Sequence, residues 1–456
     1  METKQEEKKY LTLWNKIGFG LGDGASVISY QIVASFLMLF YTSYVGLDPA
    51  IIGVLMMVAK IFDGVTDVVF GFIMDKTHSK MGKARPWVFY AFFGVQITLV
   101  AMFFAVFLPS TTAKYVWFFA FYLLHNAVFY TMTTNAYSTL VYLITKNNSE
   151  RLQLGSFRYF ATMSVSTILT VITLGFVEAL GGGTKGWIVA VCIYAVVAII
   201  INTISVFSVK ELPEDETEKS VEKKDDKISF LAGVKILLTN RYFLLITVIY
   251  IALYLSGSVT STVNVYYTTY VLESDTVFSW LNIAYNIPML IAIALMPFMT
   301  KLFGSIRKTN VICCVISIPA CILMAVCAYA QNVPGILAGM AVRSFANGAV
   351  IVSMGTLISM ICENVYQTKH VHIDGMVFSC TGVGIKVGGG VGTALAGFLL
   401  SAGGFVTSST GDYVAQPQSA LDMITATFGI VPIFIFAILL IGCFFMDIEK
   451  KNKAIQ

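Results

Sequence analysis

A chain of 456 residues with 57% hydrophobic and only 12% charged side chains cannot cover its surface with polar groups; a soluble globular domain carries about 25% charged residues. The net charge of +4 is small for this length, and the mean hydropathy is +0.78. Lipid must be the solvent on most faces, which excludes an ordinary water-soluble domain, and a bilayer core of roughly 30 Å asks for about 20 apolar residues per helix.

The first 16 residues, METKQEEKKYLTLWNK, read as a tail. Apolar runs then predict twelve spans: 17–45, 50–74, 87–108, 113–144, 153–180, 187–208, 241–271, 277–300, 309–330, 335–362, 373–402 and 421–446. These runs far exceed the ~10 residues of an outer-membrane barrel strand, so helices must satisfy the backbone in lipid. Span one is too long for a signal-peptide core and reads as a retained helix. Between spans six and seven, VKELPEDETEKSVEKKDDKIS (209–229) has mixed charge and no apolar periodicity, the mark of a solvated linker.

The expected organisation is a tail (1–16), a six-helix bundle (17–208), a linker (209–240), a second six-helix bundle (241–446) and a tail (447–456). This is the layout of the major facilitator architecture, an all-α membrane fold whose two halves rock about a midplane site. A weak internal echo agrees: GFIMDKTHSKMGKARP follows span two and PFMTKLFGSIRKTN follows span eight. Gly71 and Asp75, with Lys83 and Arg85 further on, resemble the facilitator loop pattern of Gly, three residues, an acid and then basic residues, which implies a cytoplasmic gate. Lys and Arg crowd the tails and the even-numbered connections, while the odd-numbered ones hold only Lys114 and Lys185. The positive-inside rule therefore puts both termini in the cytoplasm, with the chain in the cell membrane.

Charges inside the spans carry the functional signal, because a charge at mid-bilayer costs roughly 2.5–3.5 kcal/mol on insertion scales. In span two, Lys60, Asp63 and Asp67 fall on one helical face, the acids one turn apart. Two carboxylates and one ammonium leave a local charge near −1, which a single monovalent cation or a proton neutralises. Oxygen donors suit hard cations, and Thr66 adds a hydroxyl. The bland alternative, a Lys60–Asp63 pair that only locks helices, leaves the second carboxylate unexplained.

Asp23, between glycines in GFGLGDGASV, is a candidate acceptor for sugar hydroxyls or else an interfacial acid. Arg158 in span five either bridges to Asp23, bridges to the span-two acids, or snorkels to the cytosol. Lys386 in GIKVGGGVG is too deep to snorkel, and the glycines after it read as close helix packing. Arg343 in span ten either snorkels, pairs with Glu178, or clamps a substrate carboxylate. The eight cysteines show no metal or redox spacing. No catalytic constellation occurs in the soluble stretches, and the basic loops lack the aromatic interleaving of a nucleic-acid site, so neither an enzyme nor a nucleic-acid binder is expected.

KIGFGLGDGAS, KIFDGVTDVVFGFIMDKTHSKMGKARPW, ERLQLGSFRYF and GIKVGGG together resemble the glycoside–pentoside–hexuronide:cation symporters. The resemblance is strongest in residues 14–90 and 150–160 and weakest between 240 and 360. It implies a cation site for Na+, Li+ or H+ at Asp63 and Asp67, with Thr66 and Thr131. It also implies a substrate site of Asp23, Arg158 and Lys386, to which Thr134 and Ser138 are expected to add polar side chains. Lys60 stands where the family usually has Arg, which keeps the charge and loses the planar fork. Thr134 and Ser138 stand where the melibiose-transporting member has an acid and a Trp, while His372 and Asp374 replace Arg and Glu.

The sequence thus predicts a symporter for a sugar or glycoside and a monovalent cation, with no cofactor and working as a monomer. The alternative is a facilitator of another amphipathic or acidic solute, such as a hexuronide, a lipid or a drug. A sensor on the same fold would need a sizeable soluble domain.

Overall fold

The computed structural model describes residues 9–75, 77, 79–213, 230–369, 371, 374–408 and 414–455. Among them, twelve long helical segments follow one another: Leu13–Val45, Pro49–Asp75, Arg85–Phe107, 111–144, Asn148–Ala179, Gly183–Ser208, Arg241–Val271, Asp275–Phe303, Ile306–Tyr329, Val333–Lys369, 374–402 and 418–445. They correspond in order to the twelve predicted spans and keep those numbers below. Ten of the described helices are long and apolar enough to cross a membrane by length and composition. A short helix, Phe230–Thr239, precedes span seven, and another, Ile448–Ile455, follows span twelve.

Local sequence explains where several helices begin and end. The Asn147 side chain accepts from Glu150 N (3.1 Å) to start span five, Asn240 accepts from Tyr242 N and Phe243 N to start span seven, and Ser305 accepts from Lys308 N (3.1 Å) to start span nine. Such caps satisfy backbone donors that the first turn leaves without intrahelical partners. Gly304 ends span eight at φ 76°, a left-handed position that favours glycine. Widened π-helical turns interrupt spans one, four, seven and eleven, at Ile32–Phe36 and Tyr41–Val45, Leu124–Tyr130, Tyr267–Val271 and Gly384–Gly388. Turns of this kind often mark functional positions.

The chain divides into two compact units. Unit 1 comprises Met1–Leu47, Ala59–Lys223 and Ser408–Asp412; unit 2 comprises Asp48–Val58, Lys224–Thr407 and Tyr413–Gln456. Within unit 1, Phe19, Phe70, Val88, Tyr137, Leu140 and Val206 belong to one buried apolar cluster. Within unit 2, Ile246, Leu253, Met354, Ile358, Phe436 and Leu439 do the same.

The opening turns of span two therefore group with unit 2. There Asp48 accepts from Ser401 Oγ (3.1 Å), and Gly53 lies so close to span eleven that a Cβ would sit 3.0 Å from Ala394 Cα. Lipid offers little hydrophobic drive for one helix to meet another, so small residues that permit close van der Waals contact decide where helices pack. Chain order alone gives no hint that one helix serves both units.

Candidate cation and substrate site

Span two carries the acids, and span four supplies their partners within unit 1. Thr131 Oγ1 donates to Asp63 Oδ1, and one turn on, Asn135 Nδ2 donates to Asp67 Oδ1 at 3.0 Å. Two residues four apart on one helix thus meet two residues four apart on the other, the condition for two side-by-side contacts on matching faces. Thr131 is 2% exposed, and its hydroxyl also reaches the Asn126 carbonyl (2.8 Å), which lies in the widened turn of span four.

Thr66, expected to add a hydroxyl, donates back along its own helix to the Asp63 carbonyl (3.1 Å) and the Phe62 carbonyl (3.4 Å). Lys60 is half-buried on the same helix, with Asp63 as the carboxylate that acts on it electrostatically. Among the described residues, no group of three or more His, Cys, Asp or Glu has the arrangement of a multivalent metal site.

Of the options for Arg158, unit 1 shows the bridge to Asp23: Nε lies 2.7 Å from Asp23 Oδ2, with both side chains 22% exposed. Glycines of span one make the reach possible, since a Cβ on Gly20 would sit 2.9 Å from the Phe157 carbonyl oxygen of span five. The guanidinium also sits 5.0 Å from the Tyr137 ring centroid, and Tyr137 stacks on Phe19 at 4.5 Å. Cation–π contact holds the fork while leaving polar edges for a ligand. Asp23 is therefore paired with Arg158 and is not a lone carboxylate.

Thr134 Oγ1 bonds the Tyr130 carbonyl (2.9 Å), and Ser138 is exposed. His125 is buried and packs as a structural residue, with Nδ1 3.1 Å from both Thr98 Oγ1 and the Val95 carbonyl.

In unit 2, Lys386 is half-buried inside the widened turn Gly384–Gly388. The glycine stripe that follows packs on span seven, where a Cβ on Gly392 would sit 2.9 Å from the Leu255 carbonyl oxygen. Arg343 is 2% exposed, so it does not snorkel. Its Nη2 donates to Thr260 Oγ1 at 2.7 Å, and its guanidinium carbon lies 5.9 Å from the Tyr285 ring centroid.

At the predicted gate, the backbone N–H groups of Lys83, Ala84 and Arg85 all donate to the Glu211 carboxylate at 2.7–2.9 Å. Arg85 Nη2 donates to the Val206 carbonyl at 3.0 Å. His372 and the side chains of Asp75 and Asp374 lie outside the described residues. Sequence reading missed Asn135 and Glu211. Asn135 was traceable, being one turn beyond Thr131 as Asp67 is one turn beyond Asp63; nothing local marked Glu211.

The family model described as MFS/sugar transport protein matches residues 18–450. The isoprimeverose transporter of Lactiplantibacillus pentosus is 29% identical over 453 residues, covering 97% of this chain and 90% of the relative. The inner membrane symporter YicJ of Escherichia coli (strain K12) is 26% identical over 438 residues, covering 93% and 90%. Among solved structures, the nucleoside transporter NupG superposes with a TM-score of 0.60 at 15% identity, covering 93% of this chain and 98% of NupG. At that identity the likeness speaks to fold alone. With these matches and the helices described above, the chain is a multi-pass membrane protein and belongs to the MFS/sugar transport protein family.

Proposed function

We propose that this protein is a secondary active symporter that takes up a sugar or glycoside together with a monovalent cation, Na+, Li+ or H+. It works by alternating access of two six-helix bundles, 17–208 and 241–446, and needs no prosthetic cofactor. The observation that carries the reading is the doubled contact of Asp63 with Thr131 and Asp67 with Asn135. Carboxylate, hydroxyl and amide oxygens are the donors a hard monovalent ion prefers.

The Thr131 hydroxyl and the Asn135 amide N–H neutralise part of the acids' charge. An arriving cation takes over that role, and Thr131 and Asn135 turn lone pairs toward it. Lys60 and Asp63 share one helix, so a pair between them ties no two helices together, which weakens the purely structural reading. The Asp23–Arg158 couple offers acceptors and donors to sugar hydroxyls from the same unit. Cation binding and sugar binding strengthen each other by equal factors.

The Lys and Arg asymmetry supports a cytoplasmic-membrane location with both termini in the cytoplasm. The protein works as a monomer in the bilayer, as a transporter and not as an enzyme. Proteoliposomes given a panel of glycosides under Na+, Li+ or H+ gradients test the reading. Gradient-driven accumulation is expected in the wild type and is lost, by at least tenfold, in Asp63→Asn and in Asp67→Asn. Accumulation that persists in both variants overturns the cation site.

A second reading, an acidic solute, is favoured by Arg343, a buried guanidinium that donates to the Thr260 hydroxyl and lies against the Tyr285 ring. Uptake of a glucuronide that falls in Arg343→Lys while a neutral glycoside is unaffected would support it. Equal losses for both solutes would reject it.

A further inference from the structure

Two cavities of unit 2 share one wall residue, Ile312, and neither is lined by residues of the proposed transport site. One, of about 490 Å³, opens where span nine starts and span twelve ends; its cationic side chains are Arg307, Lys308 and Lys450. The other, of about 390 Å³, runs between spans eight, nine and ten and is lined by apolar side chains alone, among them Phe303, Ile316 and Val342. Ile312 belongs to both walls, so the basic chamber and the apolar groove are neighbours along span nine.

The charges of the chamber are arranged to leave its cations available. Glu449 is committed to the start of span nine, accepting from Ile306 N and Arg307 N at 3.0 Å, and Asp447 lies 3.9 Å from Arg241. Arg307 is held at the rim by one donated bond to the Phe444 carbonyl (2.5 Å) and by its place over the Phe444 ring, 5.3 Å from the centroid. Its remaining N–H groups suit a phosphate. Lys308 and Lys450 are exposed beside it. A cationic chamber beside an apolar groove matches an amphiphile with an anionic head, and basic pockets between spans on the cytoplasmic side recognise such head groups.

We propose that this cleft binds one anionic phospholipid of the inner leaflet, its phosphate on Arg307, Lys308 and Lys450 and one acyl chain along the groove past Ile312. The leaflet follows from the orientation proposed above; the cleft itself does not depend on the transport reading.

The test uses the full chain purified in detergent, with lipid binding counted by native mass spectrometry. The probes are dioleoylphosphatidylglycerol, its zwitterionic phosphatidylcholine counterpart and soluble glycerol phosphate. Phosphatidylglycerol is expected to bind in preference to the other two. The double variant Lys308→Gln/Lys450→Gln should weaken it roughly tenfold or more. Filling the groove with Val342→Trp, or with Ile316→Trp, should also displace it. Both sites are open to lipid, at 40% and 55% exposure, so the fold should tolerate the larger ring; an unchanged melting temperature in lipid-free micelles checks this. Equal binding of phosphatidylcholine, binding of glycerol phosphate as tight as that of the lipid, or undiminished phosphatidylglycerol binding by either class of variant overturns the proposal.

Discussion

In the first half of the chain, Glu211 reaches the start of span three and accepts three backbone N–H bonds, while Arg85 grips the Val206 carbonyl at the end of span six. In the second half, Glu449 reaches the start of span nine and accepts two, while Arg307 grips the Phe444 carbonyl at the end of span twelve. In both, the acid stands five residues beyond the gripped carbonyl. An anion at a helix N-terminus is favoured by the exposed N–H groups and the helix dipole.

A second device is repeated as well. Tyr41 donates to the Met102 carbonyl and Tyr267 to the Ala328 carbonyl, each across 61 residues, and each opens a widened turn, YTSYV or YTTYV. The halves therefore share their scaffolding down to single hydrogen bonds.

Their mid-span chemistry diverges. Unit 1 holds the acids Asp23, Asp63 and Asp67, together with Arg158, while unit 2 holds Lys386 and Arg343. A scaffold contact repeats because both halves need the same helix ends closed. On the reading proposed above, binding chemistry is free to differ, since only one half need hold the cation. The lesson is that the repeat governs shape, while the mid-span charges differ between the halves.

The largest effect expected from testing this comparison is on the latches. Glu211→Ala leaves three donors without their acceptor and Glu449→Ala leaves two. Losing a charged acceptor costs about 1.5–3 kcal/mol, so both should melt lower in detergent, Glu211→Ala further. A larger drop for Glu449→Ala would show that the number of bonds does not set latch strength.

The next effect concerns Glu150, whose carboxylate accepts from Tyr10 N, Leu11 N and Thr145 Oγ1 and lies 3.4 Å from Lys16 Nζ, tying the tail to span five. Burial opposes its charge, but the bonds from Thr145, Leu11 and Tyr10 and the nearby Lys16 outweigh it and hold the carboxyl below its ordinary value of 4.5. A depressed folded-state pKa means the stabilisation is present above about 4.5 and is lost as pH falls through the lower folded value. Acid melting curves should show that loss in the wild type and a flatter profile in Glu150→Gln, with a gap of about 1–2 kcal/mol at neutral pH.

The smallest effect is the sharpest test of the repeat. Tyr41→Phe and Tyr267→Phe should each cost about 0.5–1.5 kcal/mol, and by equal amounts. Unequal costs in thermal melts would mean that the two turns are alike in form and not in load.

Much of this was legible in the sequence. Hydropathy marked all twelve helices, because a helix in lipid must be apolar over its own length, and that is local information. The spacing of Lys60, Asp63 and Asp67 pointed to one face for the same reason. The YTSYV and YTTYV turns are legible as a repeated string, but nothing in the string says that the helix widens there. Asn135 was missed because its contact with Asp67 depends on the register between spans two and four, which sequence does not give. Glu211 was missed because its partners lie up to 128 residues away.

By itself, then, the sequence determined the solvent, the number and order of the helices, and the residue types able to hold a cation. Each of these rests on composition or on spacing within one helix. Tertiary structure alone decided that Arg158 answers Asp23, that Arg343 is buried beside Thr260 and Tyr285, and that Asp48–Val58 packs with the second unit. Those outcomes depend on which helix faces meet and how closely glycines let them approach, and such contacts leave no periodic trace along the chain.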